Sequence, residues 1–306
     1  MTRIAPGLVV SLCLSAALGL AAGAIAATEK KLKVISETTA KGYAFPESVA
    51  YDPRTKVLYM SQFGGEKLDP AAKDGNGRIS KLSLDGKVIE DRFLPAGDVK
   101  MNKPKGIWVK GNRLWVTDID SVWIFDLKTK KGKRLELTGI TFANDPTVVG
   151  NSLYVSDNRA DKLYRVEPAD FLNSKDNPQI SVVLAGRSIH PNGLYPGKRG
   201  SLLLGGFQSP KEPKGIYSLD KHGELKEIAK AVGRIDGLYQ MGDGSIIATN
   251  WDNGSLFRWS EKGGVEQLAS GFKGPADFAV ATDRKGMTIF VPDLPASELR
   301  IIKLTK

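Results

Sequence analysis

A chain of 306 residues with 41% hydrophobic and 25% charged residues has the composition of a globular protein, which excludes wholesale disorder. A single cysteine excludes a disulfide framework and a cysteine-based zinc site, and two histidines leave any metal mostly to oxygen ligands. The net charge of +10 is spread in short groups such as Lys30-Lys31 and Lys130-Lys131, without the clustered run of a nucleic-acid footprint, so no nucleic-acid partner is expected.

The chain opens with Arg3, an apolar stretch from Leu8 to Leu20, and the small-x-small run Ala24-Ile25-Ala26. This order predicts a secretory signal over 1–26, cut after Ala26, and a periplasmic or secreted protein. The rival reading is an uncleaved membrane anchor. Cleavage would remove Cys13, the only thiol, and leave 27–306 as a single domain held by core burial alone. No later stretch is long and apolar enough to cross a membrane, so no span is expected after cleavage.

One pattern then recurs six times. A Pro-led or Gly-led turn opens each copy, and two β-rich runs separated by turns follow it. The first copy is Pro46-Glu47-Ser48, then VLYMSQF from Val57, then RISKLSLDG from Arg78. The second is Pro104-Lys105-Gly106, then RLWVTDID from Arg113, then VWIFDL from Val122. The third is Asn144-Asp145-Pro146, then SLYVSDN from Ser152, then KLYRVEP from Lys162. The fourth is Pro191-Asn192-Gly193, then SLLLGGF from Ser201, then GIYSLDKHG from Gly215. The fifth is Ile235-Asp236-Gly237, then SIIATNW from Ser245, then SLFRWSEKGG from Ser255. The sixth is Pro275-Ala276-Asp277, then MTIFVPD from Met287, then LRIIKL from Leu299.

Equivalent residues fall at Glu47, Lys105, Asn144, Asn192, Asp236 and Ala276, and most of the intervals match the roughly 40–50 residues of a propeller blade. The long first interval is explained by an insertion, Gly64 to Gly77, inside the first blade. Alternation in Leu153-Tyr154-Val155-Ser156-Asp157 is strand-like, and only Glu167 to Ser174 offers a possible helical turn. The prediction is all-β: a six-bladed β-propeller with four-stranded blades. A pair of β-sandwiches is the rival, but it lacks such a period.

In a propeller the equivalent positions converge on one mouth of a central channel. Glu47, Asn144, Asn192 and Asp236 would bring oxygen ligands there, two anionic and two neutral, which suits a hard divalent cation. Taken singly, Asn-Gly, Asn-Asp and Asp-Gly are also common turn dipeptides. Four in one register are harder to explain by turns.

On these residues the chain resembles the SMP-30/gluconolactonase/luciferin-regenerating family of six-bladed propellers. Glu47 in FPESVAYD, Asn144 in FANDPTV, Asn192 in HPNGLY and Asp236 in RIDGLY look like the family's Glu, Asn, Asn and Asp. After the Glu, Ser48 stands where the family usually continues Gly-Pro. The resemblance implies a divalent cation in the channel, calcium first, with magnesium, manganese and zinc as alternatives. It also implies hydrolysis of a small lactone or ester.

In that reading Asp236 is the expected general base and Lys105 the expected oxyanion partner, against a plain solvated rim lysine. Asp118, Asp157, Asn250 and Asp293 come from the ends of the inner strands, where they would either face the ligand shell or cap turns. His190 lies beside the Asn192 motif, at the mouth or on plain surface. Trp251 is a candidate pocket wall. The basic surplus is read as a solvated surface or as attraction to an anionic small-molecule substrate or envelope surface. The alternative function is a non-enzymatic propeller that binds a ligand or protein partner, any cation being structural.

Overall fold

The chain is dominated by short runs whose alternate residues are apolar, and these runs pair as strands. In Ser152–Asp157, for example, Leu153 and Val155 are buried on one face while Tyr154 is half-buried on the other. The computed structural model describes residues 1–2, 31–207, 212, 214–284 and 286–305. The expected signal and Cys13 lie almost wholly outside the described residues.

The first strand, β1 (Lys33–Lys41), precedes the repeats. Blade one holds β2 (Pro46–Asp52), β3 (Val57–Gln62), β4 (Arg78–Leu82) and β5 (Val88–Leu94). Blade two holds β6 (Pro104–Lys110), β7 (Arg113–Asp118), β8 (Ser121–Asp126) and β9 (Gly132–Glu136). Blade three holds β10 (Ala143–Val149), β11 (Ser152–Asp157), β12 (Lys162–Glu167) and β13 (Gln179–Ala185). Blade four holds β14 (Pro191–Pro196), β15 (Leu202–Gly206), β16 (Lys214–Leu219) and β17 (Leu225–Gly233). Blade five holds β18 (Ile235–Gln240), β19 (Ile246–Asn250), β20 (Ser255–Ser260) and β21 (Gly264–Ala269). Blade six holds β22 (Ala279–Thr282), β23 (Gly286–Asp293) and β24 (Glu298–Thr305).

Each blade is a four-stranded antiparallel meander, and in blade six the fourth strand is β1. The fold is therefore an all-β six-bladed propeller with four-stranded blades, as the repeat predicts. The ring is closed by pairing Lys33 with Thr305 at one end of the β1–β24 ladder and Lys41 with Glu298 at the other. The segment 167–174 forms no helix: β12 runs to Glu167, a turn follows, and Phe171 plugs the core. The described residues contain one 3-10 turn, Lys198–Gly200.

The inner strands β2, β6, β10, β14 and β18 pack side by side in succession, and β22 packs on β2. Apolar clusters fill the gaps between successive blades. Tyr59 and Ile79 of blade one meet Val116 and Phe125 of blade two, and Leu82 of blade one meets Phe290 and Ile301 of blade six. The insertion between β3 and β4 is tied to blade two, because Asp74 pairs with the buried Lys103 ammonium at 2.7 Å and Lys73 pairs with Asp120 at 2.6 Å.

Deleting residues 31–41 leaves β24 with an unpaired edge. The expected result is a thermal midpoint lowered by about 10 °C or more, or loss of soluble protein, followed by circular dichroism. An unchanged midpoint would show that β1 adds nothing to ring stability.

Candidate functional site

Five inner strands carry the same irregularity near their start. The pairing register shifts between Pro46 and Ser48, Pro104 and Ile107, Ala143 and Pro146, Pro191 and Leu194, and Ile235 and Leu238. In blade six an isolated Pro275–Asp293 bridge is followed by a gap until Ala279. A bulge frees backbone groups and re-aims side chains. The freed groups are taken up by hydroxyls on the neighbouring strand. Ser61, Ser156 and Thr249 accept the amides of Ser48, Asp145 and Gly237 at 2.9, 2.9 and 2.7 Å. Ser156 also donates to the Asn192 carbonyl of the next blade at 2.7 Å, and Thr117 likewise donates to the Asn144 carbonyl.

At these bulges Glu47, Lys105, Asn144, Asn192, Asp236 and Ala276 are all buried. Asp236 Oδ2 accepts the Trp251 indole N–H at 2.7 Å, and the Asn192 side chain also hydrogen-bonds Asp236. Glu47 Oε2 and Asn192 Oδ1 are buried and accept no hydrogen bond from the described residues. Burial, then the charge of Asp236, pushes the Glu47 carboxyl well above the usual range, while Lys105 pulls it down. Burial, then Asp277, pushes Asp236 up to about 8, against the Trp251 and Asn192 hydrogen bonds. Lys105 is 1% exposed, so it is no rim lysine. Burial lowers its ammonium to about 8 against the pull of Glu47 and Asp118. Its Nζ stands 4.1 Å from the Phe142 ring centre and donates to the Lys103 carbonyl at 3.4 Å.

One position further along each inner strand lies a second set: Ser48, Gly106, Asp145, Gly193, Gly237 and Asp277. Three are glycines because a side chain would meet the next blade. An added Cβ would stand 2.2 Å from Asp145 Oδ1 at Gly106, 1.6 Å from the Asp236 carbonyl oxygen at Gly193, and 2.5 Å from the Phe278 ring at Gly237. The other notable members are two carboxylates that the single-column reading of the repeats passed over. Asp145 Oδ2 accepts the Leu194 amide at 2.6 Å, and Asp277 Oδ2 accepts the Ser48 hydroxyl at 2.6 Å. Burial pushes Asp277 up to about 7, and burial together with Asp277 pushes Asp145 well above its usual range. The signal was present in the sequence, as an Asp after Asn144 and another after Ala276.

The outer candidates clamp the loops that lead into the inner strands. Asp118 accepts the Asn102 and Lys103 amides at 2.9 and 2.8 Å, and Asp157 accepts the Thr141 amide at 2.6 Å. Asp293 accepts the Lys273 and Gly274 amides at 2.8 and 3.0 Å. Asn250 donates to the Val232 carbonyl at 3.0 Å and accepts the Asp252 amide at 2.9 Å. Gln62 in blade one accepts the Ala44 amide in the same way, at 2.7 Å. Blade four has Gly206 at this position, and Asp161 clamps its loop instead through the Ser188, Ile189 and His190 amides. His190 Nδ1 lies 2.8 Å from the Asn158 carbonyl oxygen.

Aromatic and basic side chains gather around the bulge-side residues. Arg159 stacks on Phe142 with its guanidinium 3.8 Å from the ring centre, and Arg234 stacks on Phe207 at 5.1 Å. Phe207 meets the Trp251 ring edge-on at 5.9 Å. Among the described residues no group of three or more His, Cys, Asp or Glu side chains surrounds one point, so any cation here would rely on amides as well as carboxylates.

The sequence matches no known family profile and no curated protein sequence. The fold is similar to solved structures at low identity. A candidate gluconolactonase aligns with a TM-score of 0.63 and 15% identity, over 89% of this chain and 94% of that one. A streptogramin B lyase aligns with a TM-score of 0.60 and 13% identity, over 88% and 98%. Virginiamycin B lyase from Staphylococcus aureus aligns with a TM-score of 0.59 and 13% identity, over 90% and 100%. These likenesses show the six-bladed propeller fold.

The raised carboxylates set the pH dependence of stability. Asp236 and Asp277 titrate near 8 and 7 in the fold, against 3.8 as ordinary carboxylates. Between those limits the folded chain holds protons that the unfolded chain has lost, so stability falls as pH rises. In chelated buffer the thermal midpoint is expected to be lower at pH 8 than at pH 5.5, and Asp277→Asn is expected to flatten the slope. A midpoint that rises over this range would contradict the buried, protonated carboxylates.

Proposed function

We propose that the protein is a cation-dependent hydrolase of a small lactone or ester, working at the bulge side of the channel. The observation that carries this reading is the pair of buried oxygens without donors among the described residues, Glu47 Oε2 and Asn192 Oδ1, beside Asp236. A buried acceptor left unpaired costs about 1–3 kcal/mol, so oxygens of this kind call for a positive ligand. Two carboxylates and two amides form a hard-oxygen set that fits a divalent cation, with calcium the first choice. Glu47, Asn144, Asn192 and Asp236 would hold it.

When bound, such a cation would polarise the substrate carbonyl as a Lewis acid and draw Asp236 into its ionised form. The Asp236 carboxylate then takes a proton from the attacking water, with Trp251 Nε1 fixing its orientation. That proton goes on to the departing alcohol oxygen as the acyl carbon–oxygen bond breaks. The Lys105 ammonium, fixed over Phe142, faces the charge that develops on the carbonyl oxygen. Lys105, Arg159 and Arg234 favour a substrate carrying an anionic group, and Phe142, Phe207 and Trp251 offer it apolar contact.

The test is elemental analysis of the purified protein, then lactone and ester hydrolysis before and after chelation. One divalent cation per chain is expected, with hydrolysis lost on chelation and restored by calcium. Glu47→Gln and Asp236→Asn are each expected to lower kcat/KM by about 100-fold or more and to weaken cation binding. Turnover that survives chelation and both substitutions would overturn the reading. A bound cation without turnover on any substrate would leave the non-enzymatic propeller as the function.

A further inference from the structure

The inner strands continue past the second set of residues into a separate cavity of about 150 Å³. It is lined by Asp145 and Asp277 from opposite blades, by Trp108, Tyr195 and Tyr239, and by apolar side chains such as Leu194 and Leu238. Glu47, Lys105, Asn144, Asn192 and Asp236 do not line it. Its aromatic and apolar wall residues lie in the middle and second half of their strands, past the bulges, whereas Asp145 belongs to the bulge of β10 and Asp277 precedes β22.

Three properties define what fits. The first is a pair of buried carboxyls held by neutral groups. Asp145 is 4% exposed, its Oδ2 is used by the Leu194 amide, and its Oδ1 accepts nothing from the described residues. Asp277 is held by the Ser48 hydroxyl and the Phe278 amide. All of these donors are neutral. Lys105, the buried cation of the channel, is engaged by Glu47 and Asp118.

The second property is the wall. Tyr195 meets Tyr239 at 5.3 Å and Trp108 at 6.0 Å between ring centres, both edge-on. Aromatic walls attract organic cations. They offer a metal ion little, since a hard cation wants six to eight oxygens and would find two carboxylates. The third property is size. At about 150 Å³ the cavity is below the range of drug-sized sites and fits only a small molecule.

We propose that this cavity binds a small primary ammonium compound, its –NH3+ group between Asp145 and Asp277 and its short apolar chain against Tyr195, Tyr239 and Leu238. Only a primary ammonium can donate N–H groups to the Asp145 and Asp277 carboxylates, which favours it over a quaternary one. This site uses none of the residues of the proposed hydrolytic centre and needs no metal there.

The experiment titrates chelated full-length protein with n-butylammonium, using n-butanol and butyrate as neutral and anionic controls of similar size. Calorimetry gives the stoichiometry, and tryptophan fluorescence reports on Trp108. One butylammonium per chain is expected, bound at least about 10-fold more tightly than either control. Asp277→Asn and Tyr239→Leu are each expected to weaken it about 10-fold or more, and Glu47→Gln to change it less than threefold. Tyr239→Leu keeps the test open if the Asp277 variant misfolds.

Absence of binding, equal binding of butanol, or one-for-one displacement by calcium would overturn the proposal. So would an affinity that depends on Glu47 and not on Asp277 or Tyr239. Lactone hydrolysis assayed on the same preparation reads the bulge-side centre alone, so either reading can fail without the other.

Discussion

Six strands have to converge on one axis, and the space there admits few side chains. At Gly106, Gly193 and Gly237 even a methyl group would collide with the adjacent blade. Where side chains are present at the equivalent positions, they are short and polar: Ser48, Asp145 and Asp277. This crowding explains the rest of the channel. It forces the register shifts, the shifts free backbone amides, and hydroxyls such as Ser61, Ser156 and Thr249 are placed to accept them. It also buries carboxylates: burial holds Asp277 above the usual carboxylate range, and burial, then the charge of Asp277, does the same to Asp236.

The channel therefore has two chemically different regions. On the bulge side, carboxylate and amide oxygens sit with Lys105 beneath aromatic rings that carry Arg159 and Arg234. In the cavity, carboxylates face tyrosine and tryptophan with no basic residue among the wall residues. Inorganic and organic cations are sorted by such surroundings, the first by oxygen number and the second by ring faces. A single fold thus offers two chemically different surroundings along one axis.

Much of this was legible in the sequence because the repeat forces equivalent residues together. Aligning Glu47, Lys105, Asn144, Asn192 and Asp236 needs only the opening turn of each copy. The outermost strands were less visible. Strands such as β5 and β17 expose one face to water, so their polar residues break the apolar pattern that marks the inner three. The pairing of β1 with β24 was invisible for another reason: nothing local in KVISETTAK says which distant strand it joins. Asp118, Asp157 and Asp293 look alike whether they face a ligand or cap a loop, and only the coordinates give their amide partners. Lys105 reads either as an oxyanion partner or as a rim lysine until its blade neighbours enclose it.

The way the ring is closed has a mechanical consequence. Lys33 and Thr305 are partners at the same end of the β1–β24 ladder, next to where the chain enters and leaves blade six. A pull on the two termini loads this antiparallel pair from that end. Its hydrogen bonds are then strained one after another, as in a zipper, instead of sharing the load in shear. The seam is the weak point of the molecule under tension, and a tether on both termini would peel it open before any other blade gives way.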